Sequence, residues 1–284
     1  MDLAKAFTVL GLEDRKNECQ LIAPDFSDVT ICYDGKSRAY GSKATKIWEE
    51  HLELCPDSFN GRMASVKNFG MRANLAIKKR HLLIWTRPSK FSDFVGTQYL
   101  RPERLLPTSS SLDRYYSLPL SFGAVSLTAP SARYPERAII FGIRGDTAFD
   151  KYKATLLPGG YFDPTKDCYI EIVKGVQKKY LSLKKAVVRE LEEELGINSF
   201  TSLKLSELLY SRTGSRQPLI SVEIVLPDTA EQIMEFAKLS KEPELREIIC
   251  VPANISSLAE FVSAHNLCPH DVRKLARWVA NYFK

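Results

Sequence analysis

The sequence predicts an α/β fold in which helices layer onto a sheet, preceded by a smaller α+β region. Three observations lead there. Through the second half of the chain, short runs with apolar residues at every second position alternate with helix-like segments. One segment, Ser182 to Leu195, has apolar residues at helical spacing between a serine able to cap its start and Gly196, able to end it. A Pro158-Gly159-Gly160 turn lies between strand-like residues and that helix. Strands and helices alternating in this way pack as a sandwich.

In chain order, strand-like runs occur at Val29 to Tyr33 and Leu82 to Trp85, with a helix at Lys43 to Leu54. The proline and serine content of Pro102 to Ser111 reads as a connection. We therefore divide the chain into an N-terminal region, 1–117, and a second domain, 118–284. In the latter, Gly123 to Thr128 and Ala138 to Ile143 read as strands. After the Ser182 helix come strands at Ser206 to Ser211 and Leu219 to Leu226, a helix at Thr229 to Leu239, a strand at Glu247 to Val251 and one or two terminal helices.

Composition narrows the function classes. Of 284 residues, 44% are hydrophobic and 26% charged, which is ordinary for a folded protein with an ample core. No apolar run approaches the roughly 18 residues of a membrane span, and Met1 to Gln20 lacks a signal-peptide core, so no membrane partner is expected. Six cysteines without a CxxC pair argue against a zinc site or disulfide framework, and they fit a reducing cytoplasmic or nuclear compartment. The net charge of +6 and the short basic runs, Lys78-Lys79-Arg80 among them, are too weak a footprint for a nucleic-acid partner. They would still attract a small phosphate-bearing substrate.

The chemistry is concentrated in Arg189-Glu190-Leu191-Glu192-Glu193-Glu194-Leu195-Gly196-Ile197. At about 100° per residue, Leu183, Val187 and Leu191 form the stripe that faces a sheet. Glu190 and Glu194 fall on or beside that stripe, Glu193 flanks it, and only Glu192 points away. Burying unpaired carboxylates costs several kcal/mol. Three of them converging at i, i+3 and i+4 repel one another unless a cation joins them. Mg²⁺, with Mn²⁺ as a substitute, is the hard cation expected beside phosphates. The alternative is a solvated acidic helix end balanced by Lys185 and Arg189.

This segment resembles the Nudix signature, G-x5-E-x7-R-E-U-x-E-E-x-G-U with U aliphatic, and matches every specified position of its second half. Such a match arises by chance roughly once in a million windows or less often. The resemblance implies a Nudix α/β/α sandwich with a mixed sheet, and Glu190, Glu193 and Glu194 as ligands of a catalytic metal. It makes Gly160 the glycine whose carbonyl approaches that metal. Arg189 would fix a glutamate through a forked ion pair. Two departures stand out: Leu181 occupies the position of the signature's first glutamate, and the loop after Gly160 is about 15 residues longer than usual. Asp163, Asp167 or Glu171 could replace the missing acid, and Asp163, three residues after Gly160, is the best placed by sequence. Gly175 lies at the right distance before Leu181, which we read as coincidence.

Further segments are similar to a eukaryotic Nudix subfamily that hydrolyses UDP-glucose and UDP-galactose. They are Lys46 to Glu49 with Leu52, Phe91 to Thr97, Pro119 to Ala124, Pro158 to Pro164 and Leu267 to Pro269. That likeness implies a small nucleoside diphosphate sugar as substrate, read by Phe91, Phe94, Tyr161 and Phe162 with Asp163. It also implies a further catalytic acid beyond the box, with Glu244 the first candidate and Glu223 the second. ADP-ribose, NADH, dinucleoside polyphosphates and capped RNA are the competing substrates, and a non-catalytic nucleotide-sugar-binding module is the competing class.

Overall fold

Two mixed sheets, the larger carrying helices on both faces, make up a computed structural model of the chain. It describes every residue except 37–38, 41, 55, 57–59, 75–78, 99–116, 147–150, 213–216, 239–243 and 284. The elements run α1 (Leu3–Val9), β1 (Cys19–Ala23), β2 (Asp28–Tyr33), α2 (Ser42–Leu54), β3 (Arg62–Asn74), β4 (Lys79–Lys90), α3 (Phe91–Gln98), β5 (Ser121–Ala129), β6 (Ala138–Arg144), β7 (Ala154–Leu156) and β8 (Gly159–Tyr161). They continue as β9 (Cys168–Val173), β10 (Val176–Leu181), α4 (Leu183–Leu195), β11 (Ser202–Ser211), β12 (Pro218–Thr229), α5 (Ala230–Ala237), β13 (Leu245–Pro252), α6 (Ile255–Ala264) and α7 (Pro269–Tyr282). Every element expected after residue 118 is present, with its ends shifted by a few residues.

The larger sheet has the order β1-β11-β12-β5-β6-β13, with β12 and β5 parallel and the other neighbours antiparallel. Side chains alternate between its faces. Phe122, Ala124, Ile140, Val222 and Ile224 enter a core shared with α4 and α5. Val125, Leu127, Ile139 and Phe141 enter the opposite core, with α1, α6 and α7. The result is the expected α/β/α sandwich with a mixed sheet. Among the described residues no helix is long and apolar enough to cross a membrane.

The expected division at 117/118 is crossed several times. β1 adds to the larger sheet along β11. The smaller sheet, β3-β4-β2-β10-β9, combines N-terminal strands with a hairpin from the long loop after Gly160. Val66 N–H donates to the Leu118 carbonyl at 2.7 Å, and Ala64 N–H to that of Phe162 at 3.1 Å. Edge strands seek pairing partners wherever they lie in sequence. The Pro102–Ser111 connection lies outside the described residues.

The hairpin explains the loop's extra length. Lys174 and Gly175 both adopt positive φ, 53° and 76°, as a two-residue type I′ turn requires. Gly175 thus serves the hairpin turn.

Candidate active site

The site forms where two strands separate. β5 and β6 pair only at Leu127 and Ile139. Beyond that point β7 lines β6 and β8 lines β5, so Pro158-Gly159-Gly160 is wedged between them, facing α4. Ser182 starts α4 by accepting from Lys185 N–H at 3.3 Å, and Gly196 ends it at φ 70°.

Leu183, Ala186, Val187, Leu191 and Leu195 are buried. The four larger ones stabilise the docked helix by roughly 1.5–3 kcal/mol each. That total exceeds the several kcal/mol that a desolvated carboxylate costs, so packing can hold Glu190 where its charge is unfavourable. Its side chain is 12% exposed, against 39% for Glu193. Glu192 is exposed, as its helix position predicts.

Arg189 organises the cluster. Its Nε and Nη2 donate to both oxygens of Asp167 at 3.1 and 3.0 Å. Its Nη1 donates to Glu190 Oε1 at 2.7 Å and to Glu193 Oε2 at 3.0 Å. Nη2 also reaches the Tyr161 carbonyl at 2.8 Å, which ties the helix to the glycine strand. Burial opposes the charge on Arg189, but the Asp167 hydrogen bonds and the surrounding carboxylates outweigh it and raise the pKa further. Burial pushes Glu190 up to about 7, against the attraction of Arg189. Glu194 Oε2 accepts from Gly159 N–H at 3.2 Å, and Lys166 Nζ bridges to Glu193 at 3.2 Å. A Cβ placed on Gly160 would overlap the Glu190 carboxyl and stand 2.9 Å from its Cγ. Only glycine leaves that space open.

Asp167, rather than Asp163, is the loop acid that meets Arg189. Its side chain is 1% exposed and also accepts from Asp163 N–H at 2.8 Å. Asp163 forms a local turn instead, accepting from Thr165 N–H at 2.7 Å and Thr165 Oγ1 at 2.6 Å. Despite partial burial, those bonds hold its carboxyl below the usual range.

The other expected residues divide. Phe94 and Phe162 are 1% and 0% exposed, so they are core side chains with no face for a ligand. Phe94 packs with Trp48, Met63 and Val95. Phe91 and Tyr161 are half-buried against that cluster, and Tyr161 Oη donates to Gln217 Oε1 at 2.7 Å. Glu223 aligns with Val125, whose side chain enters the core opposite α4, so it points away from the site. Glu244 Oε2 accepts from Arg144 Nη2 at 3.0 Å. Sequence reasoning passed over Arg144 and Lys166, since a single cation in a strand or loop carries no spacing signal.

The donor set fits a hard divalent cation. With Glu190 ionised, Asp167, Glu190, Glu193 and Glu194 bring four negative charges against the two positive charges of Arg189 and Lys166. The two left over equal the charge of one divalent ion with oxygen ligands.

No family model matches the chain, and no curated protein matches it. Among solved structures it is similar to the NUDIX domain of Shewanella oneidensis NrtR, complexed with ADP ribose. The two share 17% identity over 63% of this chain and 95% of that one, at a TM-score of 0.35. The functional reading therefore rests on the site's own geometry.

Proposed function

We propose that this chain is a Nudix-type diphosphatase acting on a nucleotide sugar, with UDP-glucose or UDP-galactose cut to UMP and the sugar 1-phosphate. One observation carries the reading: Glu190 lies against Gly160 and Glu194 accepts from Gly159 N–H, while Arg189, anchored on Asp167, joins Glu190 to Glu193. Glu190, Glu193 and Glu194, with the Gly160 carbonyl, would hold the cation. Mg²⁺, when bound, would neutralise the diphosphate and acidify a water molecule. Water oxygen joins one phosphorus as the bridging P–O bond breaks, and the bridging oxygen leaves with the other phosphate.

The chain's own residues do the positioning. Arg189 fixes two glutamates and the strand carrying Gly160, so the carboxylates need not reorganise during the reaction. Tyr161 and Phe91, half-buried beside the glycine strand, form the wall where uracil or sugar would be read. The UDP-sugar choice is supported by the sequence segments named above, two of which, Phe91 to Thr97 and Pro158 to Pro164, carry Phe91 and Tyr161 of this wall.

The test is a Mg²⁺-dependent turnover screen over UDP-glucose, UDP-galactose, ADP-ribose, NADH and capped RNA, run in ¹⁸O-labelled water. Label in one phosphate product supports diphosphate hydrolysis, whereas release of UDP with label in the sugar would mean glycosidic cleavage. Preference for ADP-ribose would overturn the substrate, and no turnover of any diphosphate would overturn the class. Glu194→Gln keeps the shape and removes one ligand charge, so turnover should fall at least about 100-fold with melting unchanged. Glu192→Gln, on the outward face, should be silent.

A further inference from the structure

β6 delivers a side chain to the site that the carboxylate cluster leaves unexplained. Ile139 and Phe141 enter the core on the α6/α7 side, while Ile140 enters the core on the α4 side. The two-residue period of a strand then puts Gly142 and Arg144 on the α4 face. A Cβ on Gly142 would meet Leu157 and Leu245, both of which pack in the α4-side core, and this confirms the assignment. Arg144 therefore emerges on the α4 face at the open end of the split between β5 and β6. The glycine strand and Glu194 lie across that split.

We infer that Arg144 is a seat for a phosphate of the substrate, and that Glu244 is a resident counter-ion which the phosphate displaces. The inference rests on the reading above that the site takes a diphosphate. Its backbone is anchored: Arg144 N–H donates to the Lys153 carbonyl and its own carbonyl accepts from Tyr152 N–H, each at 3.0 Å. Its side chain is only 20% exposed, whereas that of Glu244 is 56% exposed. The more enclosed cation thus stays in place while its exposed carboxylate partner can swing into water at little cost.

Charge and shape agree with this role. Burial works against the charge on Arg144, but Cys268, Glu244, Tyr161 and Glu194 hold it on. Two of those, Tyr161 and Glu194, belong to the proposed site. A guanidinium binds carboxylate and phosphate through the same planar fork, so one can replace the other without moving the arginine. The carboxylates all come from the α4 side and the loop beside it, and a cation on the opposite rim gives a bound diphosphate a second fixed point.

The test uses the full chain with inorganic pyrophosphate as probe. Its binding is measured by calorimetry in excess Mg²⁺, with Mn²⁺ binding followed separately by electron paramagnetic resonance. Arg144→Gln should weaken pyrophosphate binding about 10- to 100-fold while leaving Mn²⁺ binding unchanged. Arg144→Lys, which keeps the charge but loses the fork, should fall in between. Glu244→Gln removes the competing counter-ion, so pyrophosphate should bind about 2- to 5-fold tighter.

Wild-type affinity in Arg144→Gln, or a wild-type chain that does not bind pyrophosphate, overturns the inference. So does a Glu244→Gln variant that loses affinity together with melting temperature, since that marks the pair as a structural tie. Should Arg144→Gln not fold, Arg144→Lys and Glu244→Gln decide by the same signs. Failure of the wild-type chain to bind Mn²⁺ would instead overturn the metal site, and the arginine series distinguishes the two failures.

Discussion

Replacing Asp167 with asparagine tests whether the buried fork, rather than the helix alone, builds the site. The Asp167 carboxylate, 1% exposed, accepts from Arg189 Nε and Nη2 and from Asp163 N–H. All three partners donate. Asparagine keeps one accepting oxygen and turns an NH₂ group towards donors, while Arg189 loses its main counter-charge. Breaking a buried pair costs about 3–5 kcal/mol, and the oxygen that remains puts the expectation at the lower end, about 3 kcal/mol. In a chain of this size that lowers the melting temperature by roughly 6–12 °C. Arg189 also holds Glu190 and Glu193, so the loss should pass to the metal, with affinity for Mn²⁺ falling about 10- to 100-fold. Melting curves and Mn²⁺ paramagnetic resonance read the two effects. Asp163→Asn should cost about 1 kcal/mol through its turn and leave Mn²⁺ affinity alone. An Asp167→Asn variant that melts within about 2 °C of wild type and binds Mn²⁺ equally well would refute the argument.

Gly160→Ala has no backbone obstacle, since Gly160 is absent from the positive-φ glycines, but its Cβ would expel the Glu190 carboxyl. Turnover should fall about 100-fold with little change in melting, and a fully active variant would contradict the geometry. Stability should also depend on pH. Burial raises Glu190 to about 7 from its ordinary 4.5, so its protonated form favours the native state. That contribution is complete below pH 4.5 and is lost as pH rises through about 7, amounting to about 3 kcal/mol. Metal-free protein should therefore lose stability from this group across that window, and added Mg²⁺, which competes with the proton, should stabilise more at pH 8 than at pH 5. Stabilisation by Mg²⁺ that ignores pH would count against Glu190 as a ligand. Finally, Phe94→Leu should lower kcat/KM equally for all substrates, in step with lost core packing, whereas Phe91→Leu should change the ratio between UDP- and ADP-linked sugars. Unchanged ratios in both would leave the wall without a recognition role.

How far the sequence reveals the site depends on whether its spacing is local. Helix periodicity is local, so α4, its caps and the inward Glu190 were legible before any contact was known. Faces set by pairing were not: Glu223 looked eligible until its alignment with Val125 placed it on the far side of the sheet. The aromatic motif misled for the same reason, because Phe94 and Phe91 share a helix, α3, and differ only in what covers them. The missing acid shows the effect most clearly. Cys168 pairs with Leu181, and Ser182 N–H returns to the Asp167 carbonyl at 2.8 Å. The hairpin therefore leaves the loop and comes back to the same point. It occupies residues 168–181, 14 positions within the 22 that separate Asp167 from Arg189. Without it the separation is eight, the spacing between acid and arginine in the signature. Leu181 holds the signature's position in sequence, but it is Asp167 whose carboxylate meets Arg189. An insertion closed by its own backbone pairing lengthens the chain while keeping its two flanks, Asp167 and Ser182, hydrogen-bonded to each other.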